Sequence, residues 1–122
     1  MAGSSVTFTE IVFGSVKKIK AEWVSDSASG AVSGTTTRTY SGRFLGLITD
    51  PGATAPDDNY SVTITDSDAV DLLLGSATGN RDTADTEFIK KADMAGVAMS
   101  KLTFNVSSAG NSKTGTIYLL IR

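Results

Sequence analysis

Three carboxylates within six residues form the densest group of potential metal ligands in the chain. Asp66, Asp68 and Asp71 follow a strand-like run, and oxygen ligands at close spacing suit calcium. The segment lacks the glycine and the terminal glutamate of the twelve-residue calcium loop, and aspartate after a strand also forms turns by accepting hydrogen bonds from its own backbone. We therefore interpret the three aspartates as a turn and predict no metal site, although an ion bound there stays an open alternative.

The 122-residue chain contains no histidine and no cysteine. Serine–histidine and cysteine–histidine nucleophiles, thiolate metal sites and disulfides are therefore impossible. A pair of carboxylates could still act as acid and base, but only in a cleft that separates their pKa values. Gly30, Gly34, Gly42 and Gly46 fit neither nucleotide-binding glycine pattern. We predict that the protein is not an enzyme and has no catalytic residue and no cofactor.

The charge of the chain disfavours nucleic acid as a partner, because the formal net charge is −2. Lys17, Lys18 and Lys20 form the only basic cluster. On a strand these lysines divide between two faces, and we interpret them as a solvated edge. The N-terminus has no leader-like segment, and no stretch approaches the ~20 apolar residues that span a bilayer. We expect a soluble protein made in a cytoplasm, with no membrane partner.

Period-two alternation of strand-favouring residues is the dominant pattern of the sequence. It predicts an all-β protein: one antiparallel β-sandwich domain over residues 1–122, jelly-roll or immunoglobulin-like, with about seven or eight strands and little helix. The run 70–74 fits either a strand or a helical turn, Gly14 and Ser15 fit a tight turn, and the last two strands look like a hairpin. The predicted strands cover residues 6–13, 16–24, 35–40, 43–49, 59–65, 100–106 and 114–121.

Aromatic residues and loops have separate expected roles. Trp23 is predicted to lie in the core or in a subunit interface, and Tyr40, Tyr60 and Tyr118 favour core packing because they occur in strand-like sequence. The loops at 25–34, 50–58 and 75–86 are the best places for recognition, since loops on a rigid sheet often carry it.

Two segments are apolar on both strand faces, which indicates a central strand or a strand that meets another subunit. In the first, Leu45 and Leu47 alternate with Phe44 and Ile48. In the second, residues 117–121 are all apolar or aromatic. We predict that the interface residues are Leu45, Leu47, Tyr118 and Leu120.

Several motifs resemble one family. The first begins with Thr49-Asp50-Pro51 and continues through Pro56 and residues 59–66 to Gly75, with Asp68 and Asp71 inside it. It is followed by Asn80-Arg81-Asp82-Thr83 and Thr86-Glu87, and the chain ends in a further match at residues 115–122. These motifs resemble a family of small proteins encoded among the structural genes of tailed bacteriophages and prophages. Ala69 stands where that family tends to have glycine, which can alter the turn.

The resemblance implies a virion component, and a capsid cement or decoration protein fits a β-sandwich of this size best. Its partner would be the major capsid protein lattice, and its location the capsid surface after synthesis in the host bacterial cytoplasm. A homo-oligomer, with a trimer favoured, would raise the effective concentration of its contacts. Two alternatives stay open: a neck or tail component, and a carbohydrate- or receptor-binding module. The latter usually needs exposed aromatic residues, and the long loops contain none.

Overall fold

The computed structural model of the protein describes residues 5–90 and 96–122, except for the side chain of Lys90. Residues 1–4, part of the N-terminus for which no leader is expected, lie outside the described residues. The described chain contains no helix, which confirms the predicted all-β sandwich, and it has nine strands where seven or eight were predicted. They are β1 (Ser5–Phe13), β2 (Val16–Val24), β3 (Val32–Thr35), β4 (Tyr40–Pro51), β5 (Ser61–Thr65), β6 (Glu87–Lys90), β7 (Val97–Ser100), β8 (Thr103–Ser107) and β9 (Thr114–Ile121).

Antiparallel pairing divides these strands between a large and a small sheet. The large sheet has the order β1-β2-β9-β4-β6, and β7 also pairs with β4; the small sheet has the order β3-β8-β5. β6 pairs with residues 46–49 of β4 and β7 pairs with residues 40–43, so the two short strands follow each other along β4. The interpretation of the lysine strand as an edge is wrong, because β2 lies between β1 and β9.

Side chains from both sheets meet in one hydrophobic core. Trp23 of β2 is 1% exposed, and its ring centroid lies 5.8 Å from that of the fully buried Tyr60. Phe8 of β1 meets Phe104 of β8 edge to face, with 5.3 Å between the ring centroids. Edge-to-face and tilted geometries are the favoured ones for aromatic pairs. The predicted core placement of Trp23 and Tyr60 is confirmed, as is that of Tyr40. The predicted core placement of Tyr118 is wrong, because its side chain is only half-buried.

β1 and β2 form a hairpin with a two-residue loop. Phe13 pairs with Val16, so Gly14 and Ser15 make the turn. Gly14 has a φ of 57°, in the left-handed region that tight hairpin turns require and that glycine adopts without steric cost. The tight turn predicted at these two residues is confirmed.

The last two strands belong to different sheets. β8 pairs with β3 and β5, whereas β9 pairs with β2 and β4, so the predicted hairpin is wrong. The connection over residues 108–113 has left-handed backbone at Ser108, Gly110 and Ser112. Inward residues of both strands face the same core. Their alternation is therefore the same whether the strands pair directly or lie in opposite sheets.

Two further segments differ from the expectation. The predicted loop 25–34 contains most of β3, and Ser25 before it donates its hydroxyl to the carbonyl of Gly110 at 2.7 Å. The run 70–74 is neither a strand nor a helix: it forms turns, with an isolated bridge between Thr65 and Asp71. Leu72 and Leu73 of this run belong to the core, which explains why the run is apolar.

Candidate interaction surface

The outer face of the large sheet carries a set of apolar side chains. Directly paired residues on neighbouring strands project from the same face of a sheet. The register places two adjacent rows on this face: Lys20, Tyr118, Ile48 and Phe88, and then Ile11, Lys18, Leu120 and Gly46. A polar row borders them: Thr7, Glu22, Thr116 and Asp50. We call the apolar members of the first two rows the apolar band: Ile11, Ile48, Phe88, Tyr118 and Leu120.

Two side-chain contacts determine the shape and the charge of the apolar band. Phe88 covers Gly46, since a Cβ atom on Gly46 would lie 2.5 Å from Cζ of that ring. Phe88 is still 58% exposed, which is unusual for a phenylalanine on a sheet. Lys18 Nζ lies 4.6 Å from the ring centroid of Tyr118, within the range of a cation–π contact. The band is therefore an apolar surface with a cation at its β2 side.

The outer face of the small sheet is polar by contrast. Ser33 of β3 donates to Asn105 of β8 at 2.7 Å, and the hydroxyls of Thr35 and Thr103 lie 2.9 Å apart. These groups are exposed and hydrogen-bonded to one another. Apolar surface is thus concentrated on one of the two outer faces, and a large apolar patch on a soluble protein usually marks an interaction site.

Of the four residues predicted for an interface, three lie outside the core. Tyr118 and Leu120 project from the outer face of β9 and are half-buried. Leu45 is half-buried at an irregularity, because the register of β4 with β9 shifts between Phe44 and Gly46. Leu47 was wrongly placed, since it is fully buried in the sandwich core. The shift puts Phe44 and Leu47 on the inner face together, which strict alternation does not allow.

Sequence reasoning did not identify Ile48 or Phe88 as interface candidates. Ile48 had been grouped with Phe44 on the opposite face from Leu45, but it lies beside Tyr118 and Phe88. Phe88 lies in a stretch for which no strand was predicted. The sequence offers only two adjacent apolar residues there, Phe88 and Ile89. In the structure Phe88 is exposed and Ile89 is buried, as expected for neighbouring residues of a short strand.

The three clustered aspartates form turns. Oδ1 of Asp66 accepts hydrogen bonds from the backbone of Asp68 at 2.9 Å and of Val70 at 3.0 Å. Asp71 accepts from Leu73 at 3.0 Å through Oδ1 and from Gly75 at 2.9 Å through Oδ2. In residues 5–90 and 96–122, no three acidic residues are grouped so that they could hold a metal ion. Ala69 in the same turn has a φ of 62°, so the left-handed conformation is present without a glycine.

A buried arginine anchors the loop that follows this turn. Arg81 is 6% exposed, and its guanidinium lies 3.6 Å from Glu87 Oε1 and donates to Thr49 Oγ1 at 3.3 Å. Asn80 accepts from Arg81 Nε at 3.0 Å, and the hydroxyl of Thr83 donates to the carbonyl of Pro56. The residues from Asn80 to Glu87 therefore have a structural role. They hold the loop to β4 and β6.

No protein-family model matches this chain, and no curated protein matches it significantly. Within the described ranges there is also no helix long and apolar enough to cross a membrane.

Proposed function

We propose that this chain is a bacteriophage virion structural protein that binds the outer face of the head lattice and stabilises it, as a capsid cement or decoration protein. The observation that carries the proposal is the apolar band. The band lies on the open face of the large sheet, while the sandwich already has a complete core beneath that sheet. Covering such surface gains about 25 cal/mol per Å² of apolar area. The band therefore favours a broad, non-catalytic contact.

The sequence motifs support the same class of function. The stretch from Thr49 to Gly75, the Asn80-to-Glu87 motif and the chain-terminal segment resemble phage structural proteins. In the structure these residues build strands β5 and β9 and the contacts of Arg81. A likeness in residues that hold the fold together supports a shared sandwich fold, and the role in assembly is what we propose on top of it.

The lysines beside the apolar band indicate which kind of surface can cover it. Lys18 and Lys20 lie in the two rows of the band, and Lys20 is paired with Glu22 at 3.2 Å. Lys18 has no carboxylate partner in the described chain, and a twofold contact between two copies of the band would bring Lys18 of both copies into a desolvated interface. That arrangement is unfavourable without added carboxylates. The band therefore suits a different surface, such as a capsid lattice, better than a second copy of itself.

The test compares virions assembled with and without this protein. A cement protein leaves the shell geometry unchanged but raises its resistance to heat, because ~1–2 kcal/mol per contact is repeated over many copies. We expect DNA release at a lower temperature from particles that lack it, and density for the protein on the outer shell in images of complete particles. Identical release curves contradict the cement role, and density confined to the neck or tail selects that alternative.

A point substitution ties the effect to the apolar band. The variant is added to stripped particles, which are virions from which this protein has been removed. Phe88→Ser should lower the occupancy of the protein on these particles, because Phe88 is exposed and contributes to the band without supporting the core. Val70→Ser is the matched control, since Val70 is an apolar residue that is 49% exposed but lies in the turn after β5, outside the large sheet. Equal occupancy for the two variants would contradict the band as the contact surface.

A further inference from the structure

The tip of the β1–β2 hairpin is apolar on both of its faces. Ile11, Val12 and Phe13 are 40%, 55% and 67% exposed, and they are consecutive in the chain. Because side chains alternate along a strand, Ile11 and Phe13 project from one face of the hairpin and Val12 from the other. We call these three residues the hairpin tip. An occupant that covers the whole tip must enclose it.

A lysine accompanies the tip on each face. Val12 pairs directly with Lys17 and Ile11 pairs directly with Lys18, so each apolar face has a cation across the strand. In the described chain neither lysine forms an ion pair with a carboxylate. The β9 pairing stops at Lys17, which leaves Val16 and the turn beyond the end of β9. The tip therefore projects with two uncompensated positive charges at its base.

We propose that the hairpin tip inserts into an apolar cleft of the lattice subunit, and that carboxylates on the rim of this cleft pair with Lys17 and Lys18. The inference rests on the proposed function and assigns the contact that anchors the protein. A cleft encloses both faces of the tip, as the positions of Val12 and Phe13 require. Partly desolvated carboxylates on the rim would bind the lysines more strongly than water-exposed ones do.

Two depressions on this chain are poor receptors for the tip, which argues against a second copy as the occupant. One is lined by Trp23, Val24 and Ala53 but also by the hydroxyls of several serine and threonine residues, and its carboxylate, Glu22, is already paired with Lys20. Phe13 would desolvate those hydroxyls without returning a hydrogen bond. The other is lined by Leu74 and Phe88, but none of the described residues that line it has a carboxylate to pair with Lys17 or Lys18. An apolar cleft with acidic edges belongs to a partner of different sequence.

Val12 and Lys17 separate this inference from the role of the apolar band. Both project from the face of the hairpin opposite to Ile11 and Lys18, so neither belongs to the rows of the band. We expect Val12→Ser to weaken binding to stripped particles about tenfold, and Lys17→Glu to weaken it most at low ionic strength. Met99→Ser and Lys101→Glu are the matched controls, because both residues are exposed and lie outside the hairpin.

The experiment is a titration of stripped particles with each purified variant, with fluorescence-monitored unfolding to show that each variant is folded. A photo-crosslinking amino acid in place of Phe13, in the otherwise wild-type protein, should link the protein to the lattice subunit. If the wild type binds and Val12→Ser and Lys17→Glu bind equally well, the inference is overturned and the proposed function stands. If the wild type does not bind, both are overturned.

A lipid surface or a second copy of this chain at the hairpin tip would each give a different experimental result. Sedimentation with phosphatidylglycerol vesicles that depends on Val12 and Phe13 would assign the tip to a lipid surface and overturn the inference. A concentration-dependent increase in mass that Val12→Ser abolishes, with position 13 crosslinked to a second copy, would assign it to self-association and overturn it as well. We expect neither.

Discussion

Ala69 and Leu74 adopt left-handed backbone conformations although neither is a glycine. Their φ values are 62° and 54°, and they lie in the turn between β5 and the Arg81 loop. Asn59, Ser108 and Ser112 have similar φ values, but short polar side chains can hydrogen-bond locally in this conformation. Alanine and leucine have no such compensation. The hydrogen bonds accepted by Asp66 and Asp71 hold this turn in its conformation.

Replacing Ala69 by glycine should stabilise the protein. The left-handed conformation costs an alanine about 1–2 kcal/mol, whereas the extra freedom of glycine in the unfolded chain offsets about 0.4–1 kcal/mol of that gain. We expect Ala69→Gly to raise the free energy of unfolding by about 0.5 kcal/mol in urea denaturation. Ala84→Gly is the control, because Ala84 is exposed without a positive φ and should lose stability. A loss of stability in Ala69→Gly would show that the turn is not strained.

At the level of elements, two glycines allow close contacts on opposite faces of the large sheet. A Cβ atom at Gly115 of β9 would lie 2.5 Å from Cζ2 of Trp23, which is buried in the core. A Cβ atom at Gly46 of β4 would lie 2.5 Å from Cζ of Phe88, on the solvent side. The distances are equal, but the freedom of the neighbouring ring differs. Trp23 is packed against Tyr60, and Phe88 can rotate into solvent.

These two positions should therefore respond differently to alanine. Gly115→Ala should cost about 1–3 kcal/mol, because overpacking a core forces side chains off their rotamers. Gly46→Ala should cost under about 1 kcal/mol, since only an exposed ring must move and alanine restricts the unfolded chain. Urea denaturation followed by Trp23 fluorescence measures both. Equal losses would mean that Phe88 is held as firmly as Trp23.

Local signals account for the elements that the sequence predicted correctly. Alternation and a Gly-Ser turn indicate the β1–β2 hairpin, and alternation alone indicates β5. Strand-favouring residues that are apolar on both faces indicate β9, and they named Tyr118 and Leu120 as interface candidates without assigning the two faces of the strand. The misplacement of Leu47 follows from one irregular position at Leu45, which a pattern of period two cannot locate. The partners of β8 depend on tertiary contacts with β3 and β5.

At the scale of the whole molecule, basic and acidic groups lie at the same end of the sandwich as the hairpin. Lys17 and Lys18 lie at the base of the hairpin, and Asp66 and Asp68 lie in the turn after β5, where the backbone of Ser67 donates to the hydroxyl of Ser100 on β7. The net charge of −2 therefore does not describe the surroundings of the hairpin. Any attraction of the hairpin to an acidic surface comes from the two lysines locally and falls off within about 10 Å at ordinary ionic strength.

The core sets an alkaline limit to the stability of the whole molecule. Burial, more than any other influence, raises the pKa of Tyr60 to about 12, and burial together with Glu10 raises the pKa of Tyr40 to about 12. Both values exceed the ordinary tyrosine pKa of about 10. Between these values the unfolded chain loses tyrosine protons that the folded chain retains. The free energy of unfolding should therefore fall as the pH rises from about 10 to about 12.

Tyr60→Phe should reduce this loss of stability, because phenylalanine cannot ionise in the unfolded chain. At neutral pH it should have little effect, since the buried Tyr60 hydroxyl lies near Thr49 and Arg81 but makes no hydrogen bond of normal geometry in the described chain. Tyr118→Phe is the control, because its ring lies on the outer face of the large sheet. Urea denaturation at several pH values between 8 and about 11.5 measures the slopes. If Tyr60→Phe loses stability with pH as steeply as the wild type, Tyr60 is not the source of the alkaline limit.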